Sequence, residues 1–181
     1  MLTFNGLMSW LPSYYADNFG LSLSTASFIP GVATVLGIPI SLIGSYLLTR
    51  IGPRKPFVII SGFLIGFGAL MTFLVNNLVL IYAGIAIFGM CFSIFLPVLL
   101  TLAMEIPGMN PQRAAIVIAI ALAIGNFAGF FGPLVVGLLK DTTGSYLPGL
   151  LVCSILSFSL LVGGLLLPET GNRAKQQNKA A

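Results

Sequence analysis

Apolar residues run through this chain in long blocks separated by short polar stretches. A helix needs about 20 consecutive apolar residues to cross a bilayer. Five blocks reach that length, at roughly 24–49, 56–75, 78–104, 114–139 and 146–167. A sixth block, 2–16, is too short, yet it ends in Trp10-Leu-Pro-Ser-Tyr-Tyr15, the aromatic pattern of a helix leaving a membrane. It reads as a helix whose beginning is missing. The pattern predicts an all-α membrane protein of six transmembrane helices, the first truncated. They form one bundle over residues 1–167, followed by a polar tail at 168–181.

Composition sharpens this reading. The chain is 57% hydrophobic and 7% charged, with a mean hydropathy of +1.07. A soluble domain carries about 25% charged residues. This chain cannot cover a water-facing surface, so its first partner is a lipid bilayer. The net charge of +4 sits in the breaks and the tail, with no basic stripe interleaved with aromatics. That pattern argues for membrane topology and against a nucleic-acid partner.

The densest charge lies in Gly44-Ser-Tyr-Leu-Leu-Thr-Arg50-Ile-Gly52-Pro-Arg54-Lys55-Pro56, between two apolar blocks. Gly52-Pro53 favours a turn, because Gly tolerates positive φ and Pro fixes its own φ. If the blocks alternate in direction, seven of the eight cations fall on one side, and Lys140 is the exception. Short cationic loops are retained in the cytoplasm, which predicts a cytoplasmic carboxyl terminus.

Candidate chemistry is sparse. With no histidine, a His relay, a His metal site and a Ser-His triad are excluded within this chain. Cys91 and Cys153 lie inside apolar blocks and read as small apolar fillers. The first residues lack the basic region of a signal peptide. No paired carboxylates, His/Cys cluster or phosphate loop reaches membrane depth, so no enzyme, cofactor or metal is expected. Asp17, Glu105 and Asp141 all sit at segment ends.

The basic turn, Gly44-x5-Arg50-x-Gly52-x-Arg54-Lys55, resembles the loop between the second and third helices of each half of a major facilitator superfamily transporter. Thr49 stands where that signature has an acid, and Pro53 is interposed. The stretch Glu105 to Arg113, followed by Gly125-x3-Gly129-x2-Gly132-Pro133-x3-Gly137-x3-Asp141-Thr-Thr-Gly-Ser-Tyr146, is similar to the tenth-to-twelfth helix region of many bacterial members. Pro168-Glu-Thr-Gly171 resembles the ends of their last helices. A weak internal repeat aligns Pro39 and Gly44 with Pro133 and Gly137, as nested repeats of three helices would. The resemblance implies the carboxyl-terminal six-helix half of a transporter in an inner (plasma) membrane. Its further partners would be a missing amino-terminal six-helix half and a small-molecule solute moved by alternating access. A small helical subunit that transports nothing is the competing class.

Three segments carry small or polar faces at helical spacing. They are Asn5, Ser9 and Pro12; Tyr82, Ala86, Gly89, Ser93 and Pro97; and Ala115, Ala119, Ala123, Asn126, Gly129 and Pro133, with Leu122 at the edge. Small faces serve either a cavity or close helix packing. The candidate solute contacts are Asn5, Ser9, Trp10, Tyr82, Ser93 and Asn126. Gly44, Arg50, Gly52, Arg54 and Lys55 are the candidates for topology and switching. Gly125, Gly129, Gly132, Pro133 and Gly137 are the candidates for packing or hinge motion. Trp10, Tyr14 and Tyr15 read as an interface belt or as a gate at the outer mouth.

Overall fold

The computed structural model describes residues 1–50, 55–105 and 110–166, with side chains placed except at 47–50 and 105. The described residues form seven helices: α1 (Leu2–Phe19), α2 (Leu23–Arg50), α3 (Lys55–Leu74), α4 (Leu78–Glu105), α5 (Pro111–Thr143), α6 (Leu147–Ser157) and α7 (Ser159–Leu166). Five spans are long and apolar enough to cross a membrane: Leu23–Tyr46, Lys55–Leu74, Leu78–Met104, Pro111–Thr143 and Leu147–Leu166. The last of these joins α6 and α7. Gly52, Arg54 and the tail lie outside the described residues.

Local chemistry explains where the helices differ from the apolar blocks. α5 outruns its block at both ends. Asn110 caps it by accepting from the Arg113 amide at 2.8 Å, and Pro111 occupies the first turn, where no N–H is needed. Gly144, at φ 71°, stops it in a left-handed conformation that other residues rarely adopt. The predicted single helix over 146–167 is instead broken at Phe158. There Ser157 Oγ donates to the Ser154 carbonyl at 2.6 Å, and the Phe158 amide turns to Ile155 O at 3.1 Å. A side-chain hydroxyl has displaced the backbone from its ordinary partner.

Inter-helix hydrogen bonds fix the directions. Tyr14 and Tyr15, late in α1, donate to Phe73 O (2.9 Å) and Thr72 O (2.7 Å), late in α3, so these helices run the same way. Lys55, at the start of α3, donates to Leu165 O near the end of α7 at 2.8 Å, so those two run oppositely. These bonds also satisfy helix-end carbonyls that have no intrahelical donor. The two tyrosines therefore act as side-chain caps, a role that neither the interface-belt nor the gate reading contained. The Lys55 ammonium also sits well against the negative end of the α7 dipole. Lys55→Met should lower stability by only about 0.5 kcal/mol, because the site is partly open to solvent; thermal melting beside Lys55→Arg measures this.

α1 and α4 lie centrally, joined by Phe4, which stacks on Phe92 (4.4 Å) and Phe88 (5.9 Å). α1 packs on α2, α5 and α6; α4 packs on α5, α2 and α3. Exchanging α1–α3 with α4–α7 leaves this set of neighbours unchanged, and three helices per unit invert the second unit's direction. One pairing breaks the symmetry: α5 packs closely on α6, where a Cβ on Gly149 would lie 2.6 Å from the Val136 Cα. Small residues line both paired seams. A Cβ on Gly137 would meet Trp10 of α1 at 3.1 Å, and one on Gly37 would run into Ser93 Oγ of α4. Gly44 lies in the same α2–α4 seam, against Ile94.

Candidate functional site

α1 is held on one side and open on the other. Thr3 donates to Cys153 O at 2.7 Å, and Tyr14 and Tyr15 reach α3, so one face is buried against α3 and α6. Helical spacing puts Asn5, Ser9 and Pro12 on the opposite face. There Asn5, Ser9 and Trp10 form one wall of a groove of about 580 Å³. α5 supplies the other wall with Gly129, Phe130, Pro133, Leu134, Gly137, Leu138 and Asp141.

Small residues of α5 make the groove possible. Asn5 Nδ2 lies 2.6 Å from where a Cβ on Gly129 would stand, so the Asn5 amide rests directly on the α5 backbone. The Trp10 indole covers Gly137, and its Nε1–H donates to the Pro133 carbonyl at 2.9 Å. Gly132 lies outside the groove in the buried seam, where a Cβ would be 2.8 Å from the Gly6 amide. Gly125 sits under Met1, beside a separate cavity of about 280 Å³ among α1, α3, α4, α5, α6 and α7.

The other candidates do not join this group. Ser93 lies in a second groove of about 300 Å³ with Phe4, Thr34, Gly37, Ser41 and Phe92, at the junction of α1, α2 and α4. Tyr82 lines a third depression, beside Phe28, Gly31 and Val35 on α2 and α4. Gly89 of the same face is buried, with a would-be Cβ 2.5 Å from that of Ala33; here the small residue serves close packing. Asn126 is exposed and makes no side-chain hydrogen bond among the described residues. Arg50 is placed only as the last residue of α2, and Lys55 is the α7 cap described above.

A polar cluster at one end of the groove escaped the sequence reading. Lys140 Nζ donates to Tyr146 Oη at 2.5 Å, and that hydroxyl donates to Asp17 Oδ2 at 3.0 Å. The ammonium stands 4.2 Å from the Tyr146 ring centroid and 5.5 Å from that of Trp10. Its one sequence signal was that Lys140 is the cation left apart from the other seven.

A sequence profile of the Major Facilitator Superfamily matches residues 1–181. The chain is 31% identical over 171 residues to a quinolone resistance transporter of Acinetobacter baumannii, covering 92% of this chain and 37% of the relative. It is 27% identical over 172 residues to a protein of Agrobacterium vitis that carries the name of a tartrate transporter, covering 94% and 37%. To YybO, an uncharacterized transporter of Bacillus subtilis (strain 168), it is 28% identical over 169 residues, covering 89% and 38%. The chain therefore spans under two-fifths of the length of these relatives. With residues 1–181 matched by the family profile and five spans long and apolar enough to cross a bilayer, the chain is an integral membrane protein of the Major Facilitator Superfamily, the transporter family it resembled on its motifs.

Proposed function

We propose that this chain is the carboxyl-terminal six-helix half of a secondary transporter, and that the α1–α5 groove contacts the solute during alternating access. The observation that carries the reading is the groove itself. Asn5, Ser9 and Trp10 converge on a helix wall kept low by Gly129 and Gly137, on the face that α3 and α6 leave open. Polar groups facing such a space are costly in hydrocarbon and mark solute pathways. The missing amino-terminal half would close the cavity, and the chemistry needs no enzyme activity or cofactor. Asn126 remains a candidate contact for that half or for the solute.

The complete parent protein in proteoliposomes provides the test, with norfloxacin and tartrate as probes because relatives are named for those solute classes. Trp10→Phe and Asn5→Ala should each raise KM about fivefold, the loss of roughly one hydrogen bond or ring contact, with the melting temperature held. Unchanged KM for a transported probe in both variants would overturn the groove reading. The isolated chain should show no saturable uptake, because half a cavity leaves polar faces against lipid.

Orientation follows the charge pattern. Lys55 lies at one end of the bundle with the end of α7, while Asp17 and Lys140 lie at the other. We place the Lys55 end and the carboxyl terminus in the cytoplasm of an inner membrane. Single cysteines at Gln112 and Thr143, in a parent free of other cysteines, should label from the cytoplasmic and outer faces respectively. Labelling of both from one face would refute the arrangement.

A further inference from the structure

We propose that Tyr146 is a positioning residue for the α1–α5 groove: its hydroxyl anchors Lys140 and Asp17 and so holds the Trp10 indole in place as the groove wall. The part of this proposal that concerns solute affinity rests on the groove reading above.

Three helices meet at this hydroxyl. Asp17 stands in the last turn of α1, Lys140 in the last turn of α5, and Tyr146 just before α6. Tyr146 Oη accepts from the Lys140 ammonium and donates to the Asp17 carboxylate, which uses its one proton and a lone pair in opposite directions. A phenylalanine could do neither. Tyr146 is 7% exposed, so its ring is fixed by packing and cannot swing to follow another partner. Tyr14 meets that ring edge-on at 6.2 Å, and Tyr14 is itself bonded to α3.

Trp10 depends on the same assembly. Its indole is bracketed by Gly137 below, by the Tyr146 ring at 5.6 Å, and by the Lys140 ammonium. The Nε1–H bond to Pro133 O fixes one edge only. A single hydrogen bond leaves a ring free to pivot about it, so the orientation of the opposite edge is set by Tyr146 and Lys140. The cation also faces two rings, a modest attraction at this open position. The cluster joins the ends of α1 and α5 just where their separation sets the width of the groove.

The experiment uses the complete parent protein with Trp10 as its sole tryptophan, all others being replaced by Phe. Acrylamide quenching of Trp10 emission is measured together with the melting temperature. Tyr146→Phe keeps both rings and removes only the hydroxyl; it should raise the quenching constant at least about twofold, the scale expected when one hydrogen bond and a cation–ring contact are released. Lys140→Met should do the same, and Lys140→Arg should retain most of the protection. Quenching in Tyr146→Phe equal to that of the unsubstituted protein would overturn the proposal. So would equal quenching in Lys140→Met should Tyr146→Phe fail to fold. Uptake of norfloxacin or tartrate separates this proposal from the groove reading. If Trp10→Phe raises KM, Tyr146→Phe should raise it too, and an unchanged KM there would refute positioning. If quenching rises while Trp10→Phe leaves KM unaltered, the anchoring stands and the groove reading falls.

Discussion

Gly132→Leu should abolish the packing of α1 on α5 and prevent recovery of folded protein. A Cβ at Gly132 would lie 2.2 Å from the Leu2 carbonyl oxygen and 2.8 Å from the Gly6 amide nitrogen, both backbone atoms. Backbone cannot rotate aside as a side chain can, so the two helices must separate. Overpacking of this kind costs about 1–3 kcal/mol for small insertions, and a leucine here should cost more. Even Gly132→Ala should fall near the top of that range. Gly31→Ala and Gly163→Ala supply the comparison, since nothing stands within 4 Å of either would-be Cβ. Both should be neutral or slightly stabilising, by up to about 1 kcal/mol, because alanine favours helix over glycine. Melting of the purified parent protein, with yield as a second readout, checks the series. A Gly132→Leu protein that melts like the unsubstituted one would mean that this seam does not exist in solution.

Removing the hydroxyls of Tyr14 and Tyr15 should unfasten α1 from α3 without emptying any space. Tyr15 is fully buried and Tyr14 is 7% exposed. The phenylalanine variants would leave the carbonyls of Thr72 and Phe73 without donors at the end of α3. A buried acceptor that loses its partner costs about 1–3 kcal/mol, and more when no water can replace the donor. We expect Tyr15→Phe to cost about 2 kcal/mol and Tyr14→Phe less, nearer 1 kcal/mol, since the latter is closer to the bundle end. The double variant should deviate from additivity, because the capped carbonyls are adjacent and share one helix end. Thermal melting of the four proteins completes the cycle. Equal melting temperatures throughout would show that water, not tyrosine, satisfies that end of α3.

Much of the architecture was legible in the chain. Long apolar blocks must become helices in hydrocarbon, since each backbone group has to find its partner within its own segment. α2, α3 and α4 accordingly begin and end within a residue or so of their blocks. α5 was underestimated because capping by Asn110 and the stop at Gly144 extend a helix past its apolar part, and hydropathy does not register caps. The break at Phe158 was hidden for a similar reason: Ser157 and Ser159 are as compatible with a continuous helix as with a broken one. The site was legible only in part. Asn5, Ser9, Trp10, Gly129, Pro133 and Gly137 do share one groove, but Ser93 and Tyr82 open onto others.

The sequence by itself determined the class, the spans and the charge asymmetry, because hydropathy and charge act locally against a solvent whose thickness is known. Which face of each helix turns inward was a different matter. Small residues at helical spacing suit both a cavity and a seam, and only the neighbour across the gap decides between them. Gly89 meets Ala33 and became packing, whereas Gly129 and Gly137 meet the side chains of Asn5 and Trp10 and left a groove. The hydrogen bonds from Tyr14 to Phe73, Tyr15 to Thr72, Lys55 to Leu165 and Tyr146 to Asp17 join residues 59, 57, 110 and 129 apart, and no local pattern encodes contacts of that range. The tertiary structure made those pairings, because a helix end takes its donors or acceptors from whichever neighbouring helix is brought against it.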